Sequence, residues 1–395
     1  MPDWSELPEE LLNIIAEKID FYKDFLSFSA VCHPWRSVTL NHKRPSHLLK
    51  PNFPWLMLTA DDEDEDEDHR SFFIPSENRV FRLNLPEARG CHCWGSPYGW
   101  LVTLGFDQQF HLLNPLTRKR LPLPSLLTFE NINFTAATPG RNRCSCVGKA
   151  IITVSSTGED GEATVTDDAY AYDGNGINPQ FLLVYLCIGG YQQLVFARPG
   201  DTTWTVVEQS NLTVDVINFN GKIYAVECAG LIKVCDNSRG LHPTLIVFAA
   251  KPDNVGPDRF YLVEFGGELH LVVRIFDFAE EIPPDEFHHC EVAAWFEVFK
   301  LDLSTLKWNE LETLGDYALF VGSNTTFALK ASDYPDQCKP GCIYFTDDCF
   351  ETYSKLLGAD MGIYNLETGT FEPLYEGDGV LSRFSPPVWI TPKPF

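Results

Sequence analysis

The chain has 395 residues, of which 44% are hydrophobic and 13% aromatic, so it is long enough for two or three domains with sizeable cores. Its formal net charge is −25, and removal of the eight acidic residues at 61–68 still leaves about −17. This charge argues against binding to the phosphate backbone of a nucleic acid. It would favour a basic partner by long-range steering, but its simpler role, and the one that we expect, is to keep the chain in solution.

The N-terminal residues predict a module of three short helices, which we place at residues 3–45. Pro8 suits the first position of a helix, where its missing N–H is no loss, and Glu9 and Glu10 follow in a first turn that favours negative charge. Apolar residues then recur at helical spacing. They are Leu7, Leu11, Leu12, Ile14, Ile15 and Ile19. A second apolar stretch covers 21–31, and Pro34 marks a third helix, on which Trp35 and Val38 lie one turn apart.

Three helices of this size cannot bury all these side chains among themselves. Either the rest of the chain covers the remaining apolar surface, as it would for an N-terminal cap, or a partner protein does. The order and spacing of the motif residues resemble an F-box, the module that docks the Skp-type adaptor of a cullin–RING ubiquitin ligase. Those residues are Leu7, Pro8, Leu11, Ile15, Cys32, Trp35 and Arg36.

From about Phe53 onward, helical periodicity gives way to short β-rich runs separated by Gly, Pro, Asn and Asp turns. One hairpin unit recurs, in which an Asn or Asp ends a strand, a Thr follows three residues later, and an aromatic residue and a Leu open the next strand. Its copies lie at 114–123, 302–311 and 365–374, with a looser copy at 198–207. A second unit, a glycine followed by a β-rich run, alternates with it, as at Gly99, Gly221, Gly267 and Gly341.

The spacing of the hairpin unit predicts a β-propeller of roughly six blades within residues 78–395. Thr117 and Asp201 are 84 residues apart, and Asp201 and Thr305 are 104 apart, each about two blade lengths. Residues 46–80 hold a first strand and the acidic run at 61–68, which we expect to be a disordered loop. Residues 53–58 and Val388–Ile390 are candidates to close the ring. An irregular pair of β-sandwiches is the alternative architecture.

Taken together, nearly the whole chain resembles the plant F-box family whose C-terminal half is a kelch-like domain of unknown function, a family that includes SKIP- and KIB-type proteins. The segments that carry this resemblance beyond the F-box are 78–83, 85–90, 95–102, 111–117, 321–324 and 342–348. The resemblance implies a plant protein that serves as the substrate receptor of an SCF (Skp–cullin–F-box) complex and has no catalytic residue of its own.

The sequence predicts neither a cofactor nor a structural metal. It contains no phosphate-binding glycine loop and no nucleophile elbow. The pairs Cys91/Cys93 and Cys144/Cys146 alternate across a strand, which suits zinc poorly, and Cys338/Cys342 and the run 288–290 are read as ordinary loop or core residues. With twelve cysteines and no secretory signal, we expect reduced thiols in the nucleus or cytoplasm. The longest apolar stretch, near 181–188, is too short to span a membrane.

The sequence thus predicts a two-part receptor: an F-box that docks the adaptor and a propeller that presents an unknown protein target. The predicted docking or docking-support residues are Leu7, Pro8, Leu11, Leu12, Ile15, Val31 and Trp35. One alternative is an F-box scaffold that acts outside a ligase. Another is a propeller enzyme or lectin, which would need carboxylates or histidines converging on a central channel.

Overall fold

The structure is a computed structural model, and it describes the greater part of the chain. The described residues are 4–19, 28, 31–41, 53–58, 68–129, 147–154, 182–188, 193–210, 212–236, 243–253, 255–256, 259–277, 292–348, 360–375, 377 and 386–393. The acidic run at 61–67 and the cysteines Cys144, Cys146 and Cys290 lie outside them.

The N-terminal module contains a 3-10 turn at Trp4–Glu6, helix α1 at Glu9–Glu17 and helix α2 at His33–Asn41. Phe28 is helical, but the remainder of the predicted second helix up to residue 30 lies outside the described residues. No helix in the described ranges is long and apolar enough to cross a membrane.

The described strands form six sheets, five of four strands and one of five, arranged as the blades of a propeller. Blade 1 begins with β1 (Trp55–Met57), β2 (His69–Ile74) and β3 (Arg79–Asn84). Blade 2 comprises β4 (His92–Trp94), β5 (Leu101–Leu104), β6 (Phe110–Leu113) and β7 (Arg120–Pro122). Blade 3 comprises β8 (Val147–Val154), β9 (Leu182–Ile188), β10 (Gln193–Ala197) and β11 (Thr205–Val206).

The other half of the ring continues in chain order. Blade 4 comprises β12 (Thr213–Phe219), β13 (Lys222–Glu227), β14 (Ile232–Asp236) and β15 (Thr244–Ala249). Blade 5 comprises β16 (Arg259–Phe265), β17 (Glu268–Asp277), β18 (Val292–Asp302) and β19 (Lys307–Glu310). Blade 6 comprises β20 (Tyr317–Val321), β21 (Phe327–Lys330), β22 (Cys342–Phe345), β23 (Gly362–Asn365) and β24 (Thr370–Glu372), and the last strand, β25 (Val388–Ile390), completes blade 1. The predicted mainly-β fold, with a small helical module before a propeller of about six blades, is confirmed.

Blade 1 joins the two ends of the propeller. β25 pairs antiparallel with β1, with Trp55 opposite Ile390 and Leu56 opposite Trp389, and β1 pairs in turn with β2. All three side chains of β25 are fully buried. These are the two segments in which the sequence indicates ring closure, and their pairing leaves no open gap between the first and last blades.

The hydrophobic core is divided among the interfaces between neighbouring blades. The cluster between blades 2 and 3 contains Trp94, Phe110 and Trp204. The cluster between blades 6 and 1 contains Phe320 and Trp389, whose rings meet edge to face at 5.1 Å. Side chains on both faces of a blade are therefore buried, whereas the outermost strands, such as β7 and β24, are largely exposed.

The recurring hairpin unit forms the turn before the outermost strand, as its composition predicts. The Asn114 side-chain oxygen accepts hydrogen bonds from the N–H groups of Leu116 and Thr117, both at 3.0 Å. Asp302 and Asn365 hold their turns in the same way. Thus each copy satisfies its own turn locally, and this is why the motif could be recognised in the sequence.

The aromatic position of the unit ties a blade to the connection that precedes it. The Trp204 indole N–H donates to the Pro124 carbonyl at 3.1 Å, and the Trp308 indole N–H donates to the Ala250 carbonyl at 2.6 Å. Two copies of the motif therefore fasten the outer hairpin of a blade to the connection that enters that blade from the preceding one, a role that the sequence does not reveal.

A buried ion network joins blades 5 and 6. Arg274, on β17, donates to Asp348 at 3.3 Å and to Asp360 at 2.6 Å, and Asp348 also accepts from Arg259 at 2.5 Å and from the Tyr261 hydroxyl at 2.6 Å. Burial alone would raise the pKa of Asp348, but the two guanidinium groups outweigh it and hold that pKa below its usual range. The carboxylate is thus charged at neutral pH and forms one side of the contact between the two blades.

Replacement of this carboxylate tests the network. We expect Asp348→Asn to lower the free energy of unfolding by about 3 kcal/mol, because it leaves buried Arg274 short of a counter-charge. Since the folded-state pKa is lowered, the wild-type contribution is present at neutral pH and is lost as the pH falls below about 4. Urea unfolding at pH 7 and at acidic pH measures both effects, and the variant should lose less stability than the wild type on acidification.

The matched control is Glu372→Gln, which breaks the half-exposed ion pair between Lys339 and Glu372. Its effect should stay below about 1 kcal/mol. Equal stability losses in the two variants would show that Asp348 adds nothing beyond an exposed pair.

Candidate functional site

Helix α1 begins one residue later than the sequence predicts. Pro8 lies just before the helix with φ −55° and ψ 143°, and its carbonyl accepts from the N–H groups of Leu11 and Leu12 at 3.0 and 3.1 Å. The missing N–H costs nothing at this position either, so the physical reason for the proline holds although its place is shifted. Glu9 and Glu10 lie in the first turn as predicted.

One side of α1 forms the core of the helical module. Leu12 and Ala16, one turn apart, are 1% and 3% exposed, and they pack with Phe28 and with Val38 of α2. Leu7, Ile19 and Trp35 are partly buried against the same cluster. This contact fixes the angle at which α1 lies on α2.

The other side of α1 remains apolar and exposed. Leu11, Ile14 and Ile15 have exposed fractions of 46%, 49% and 38%, and their i, i+3, i+4 spacing places them on one face of the helix. Two further apolar residues of the module, Trp4 and Val31, are 62% and 56% exposed. We call these five exposed residues together the apolar face of the module, of which the three on α1 share one side of that helix. An exposed set of this size in one short module is typical of a protein-binding surface.

Helix α2 holds the beginning of the chain against the module. The Trp35 indole N–H donates to the Trp4 carbonyl at 3.0 Å, and the Trp35 ring lies 4.5 Å from the Phe28 ring, centroid to centroid. Trp35 therefore anchors the backbone of Trp4 and is itself partly exposed.

The predicted site residues separate into three groups in the structure. Leu11, Ile15 and Val31 belong to the apolar face, and Pro8 is exposed beside it. Leu7 and Trp35 are half-buried and keep part of their surface in solvent, whereas Leu12 lies in the core and supports the face from inside the module. The predicted set omits Trp4 and Ile14, although the place of Ile14 one turn after Leu11, on the same side of the helix, is a signal that could have identified it.

The module also touches the propeller. Leu116, in the turn between β6 and β7, packs against the cluster of Leu12 and Phe28 and also against the cluster between blades 1 and 2. Part of the module's apolar surface is thus covered by the chain itself, as the cap alternative requires, but the apolar face stays exposed.

The centre of the propeller is the place where an enzyme or lectin site would lie. There, Lys149 on β8 pairs with Asp215 on β12 at 3.0 Å, and the other Asp215 oxygen accepts from the Leu262 N–H at 2.9 Å. Burial raises the pKa of Asp215 in spite of the nearby ammonium group. Because Lys149 binds one oxygen and the Leu262 N–H the other, both carboxylate oxygens of Asp215 already have partners within the protein.

A segment of blade 6 crosses the same region. The Thr325 N–H donates to the Gly95 carbonyl, and the Thr325 hydroxyl oxygen accepts from the Ile152 N–H, both at 3.0 Å, while the Thr326 hydroxyl contacts Lys149 at 3.3 Å. The Thr326 hydroxyl also donates to Asp215 on β12 at 3.4 Å, so residues 322–326, between β20 and β21, link the inner parts of blades 2, 3 and 4. Gly322 is required at its position, because its φ is +145° and a Cβ would lie 2.1 Å from the Thr346 hydroxyl oxygen.

In the described ranges, burial keeps the thiols of Cys91, Cys93 and Cys338 protonated at neutral pH. Burial raises the pKa of Cys91 to about 11, and the pKa values of Cys93 and Cys338 to about 12. Within those ranges, no three His, Cys, Asp or Glu side chains converge as a metal site would require.

Comparisons with known proteins agree with both parts of this architecture. The F-box domain family matches residues 4–47, and the KIB1-4 beta-propeller family matches residues 72–365. The F-box protein SKIP23 of Arabidopsis thaliana is 26% identical, with 99% of this chain and 96% of that protein covered. The F-box protein At2g17036 of the same plant is also 26% identical, with 99% and 95% covered.

Among solved structures, TolB from Acinetobacter baumannii aligns with 86% of this chain and 67% of its own, at 12% identity and a TM-score of 0.41. The two family matches together extend over most of the chain, in the order in which the structure presents the helical module and the propeller. The chain therefore belongs to the F-box proteins that carry a KIB1-4 beta-propeller.

Proposed function

We propose that this protein is the substrate-recognition subunit of an SCF ubiquitin ligase. In this function the F-box docks a Skp-type adaptor, the adaptor connects it to the cullin–RING ligase, and the propeller holds a protein target. The observation that carries the proposal is the apolar face, because α1 leaves Leu11, Ile14 and Ile15 exposed in a module whose family match is an F-box.

The apolar face is large enough to support a specific contact. Complete burial of a Leu or Ile side chain contributes about 1.5–3 kcal/mol. Burial of only the part that is exposed in each of these three residues would therefore contribute about 1 kcal/mol to the free energy of binding. The exposed ring of Trp4 adds an aromatic anchor of the kind that dominates binding energies at interfaces. A hydrophobic partner surface that receives all five residues would also exclude water from their edges.

The proposed role requires no catalytic chemistry of the chain. A receptor accelerates ubiquitin transfer by raising the effective concentration of target lysines near the charged ubiquitin carrier. The propeller suits this task, since the pairing of β1 with β25 closes the ring and Leu116 places the helical module directly against it. A bound target would then be held at a restricted distance from the adaptor.

A double variant of the apolar face tests adaptor docking. We expect Leu11→Glu with Ile14→Glu to raise the Kd for a plant Skp-type adaptor about a hundredfold, because two carboxylates would have to be desolvated in the contact. Isothermal titration calorimetry with the full chain measures the change. The fold should be retained, since both side chains point away from the core formed by Leu12 and Ala16.

The matched control is Val80→Glu, at a valine that is 40% exposed on the outer strand of blade 1. It places the same charge on the propeller and should leave the Kd unchanged. If the double variant bound the adaptor as tightly as the wild type while remaining folded, the docking assignment would be wrong.

A second variant tests the support that Trp35 gives to Trp4. Trp35→Phe keeps an aromatic ring beside Phe28 but removes the donor to the Trp4 carbonyl, a hydrogen bond worth about 1 kcal/mol. We expect adaptor affinity to fall several-fold with little change in melting temperature. Trp308→Phe, which removes an indole donor from the propeller, serves as the control and should bind normally.

Ubiquitination distinguishes a ligase receptor from a scaffold that uses the same docking surface. A reconstituted complex containing the adaptor, cullin and RING subunits should transfer ubiquitin to a protein that the propeller binds. Adaptor binding without any transfer to a bound protein would favour the scaffold.

A further inference from the structure

The outer strand of blade 4 differs from the other outer strands that the structure describes. β15 has six residues, Thr-Leu-Ile-Val-Phe-Ala, with no charged residue, proline or glycine. The others are shorter or charged: β7 has three residues with Arg120 and Pro122, β11 has two, β19 includes Lys307 and Glu310, β24 ends at Glu372, and β3 contains Arg79 and Arg82. Charges, prolines and short length are the features that protect an open edge from pairing with another strand, and β15 has none of them.

The middle of β15 also carries the most exposed apolar side chain of these outer strands. Val247 is 65% exposed, although Leu245 and Ala249 on either side are buried. In the described part of the chain, β15 pairs with β14 on one side and is the last strand of its sheet on the other. Its free edge therefore combines an open backbone with an exposed β-branched side chain.

The chain itself already pairs with the first residues of this edge. The Leu245 N–H donates to the Glu208 carbonyl, and the Glu208 N–H donates to the Pro243 carbonyl, both at 2.9 Å. Together they form an isolated parallel bridge between Glu208 and Thr244. The Leu245 N–H thus points away from β14, and by the alternation of a strand the N–H and C=O of Val247 point the same way.

We propose that the free edge of β15 is a strand-addition site, at which an extended segment of a target protein pairs parallel to β15. The segment would begin next to the bridge between Glu208 and Thr244 and extend along β15 past Val247. Backbone hydrogen bonds at Leu245 and Val247 would supply affinity, and the side chains beside Val247 would supply specificity, as in other cases of strand addition. This proposal rests on the proposed function in so far as the bound segment belongs to a ligase target.

Charge decides between a target protein and a second copy of this chain as the occupant. Two copies, each with a formal net charge of −25, repel one another. In addition, the Glu208 carboxylate lies at the start of the edge, where it contacts the Thr244 hydroxyl at 3.3 Å. A segment with Lys or Arg at its N-terminal end and alternating apolar residues after it fits both features.

The experiment uses a phage-displayed library of random twelve-residue peptides, selected on the full chain. The expected result is enrichment of peptides with basic residues followed by alternating apolar residues. These peptides should bind at least about tenfold more weakly to Val247→Pro, which removes the outward N–H and leaves the bonds to β14 in place. Methylation of alternate backbone nitrogens of an enriched peptide should abolish binding, because it blocks pairing without changing the side chains.

Val80→Pro is the matched control. The Leu85 N–H donates inward to the Asp68 carbonyl, so alternation along β3 turns the Val80 N–H outward, as for Val247. Peptide binding to this variant should equal that of the wild type. Val247→Lys provides a second test that keeps every backbone donor and protects the edge with a charge, and it too should weaken binding.

Several outcomes would overturn the proposal. They are a library without enriched peptides, enriched peptides that bind both Val247 variants normally, and a dimer of the chain that Val247→Lys abolishes in sedimentation experiments. Adaptor affinity of Val247→Lys is measured in parallel and should be unchanged. A wild-type chain that binds the peptides but not the adaptor would refute the proposed function and leave the peptide result standing. A wild-type chain that binds the adaptor but no peptide would refute only the strand-addition site.

Discussion

Helix α1 carries apolar side chains around more of its circumference than its own module can cover. Leu12 and Ala16 take the side that meets Phe28 and Val38, and this packing leaves Leu11, Ile14 and Ile15 in solvent. Rotation of the helix to bury the second set would expose the first, so some apolar surface is exposed in either orientation. Burial of one side of α1 stabilises the module and leaves the other side in solvent. That exposed side is the surface through which a partner can bind.

The propeller satisfies a different constraint, which is ring closure. Each blade buries both of its faces against its neighbours, so an open ring would expose two blade faces at the gap. The pairing of β1 with β25 removes the gap, and the ion network of Arg274, Asp348 and Asp360 adds a polar contact between blades 5 and 6. At the centre, Lys149 and Asp215 are paired with each other, whereas the outer strands β7 and β24 are largely exposed.

Features that depend on local interactions could be predicted from the sequence. The hairpin turns are held by hydrogen bonds within three residues of Asn114, Asp302 and Asn365, so their motif is visible in the chain, and its spacing gave the number of blades. The helical periodicity of α1 was visible for the same reason. Its apolar residues were nevertheless too numerous to show which of them face inward, and Leu12 and Leu11 are adjacent in sequence but opposite in role.

Features that depend on distant contacts could not be predicted. Arg274 meets Asp360 across 86 positions of sequence, and Lys149 meets Thr326 across 177. Trp4 gains its place through Trp35, 31 residues away, and β15 becomes an unprotected edge only because no described strand follows it in the sheet. In each case the property belongs to an arrangement of segments, and no pattern within a single segment encodes it.

In the proposed complex, the adaptor covers the apolar face of the F-box module. Hydroxyl-radical footprinting of the full chain, with and without a plant Skp-type adaptor, measures the solvent accessibility of individual side chains. We expect Trp4, Leu11, Ile14 and Ile15 to become protected on binding, while Val247 and Phe371, which are 65% and 43% exposed on the propeller, react as before. Adaptor binding that left those four side chains as reactive as in the free protein would contradict this prediction.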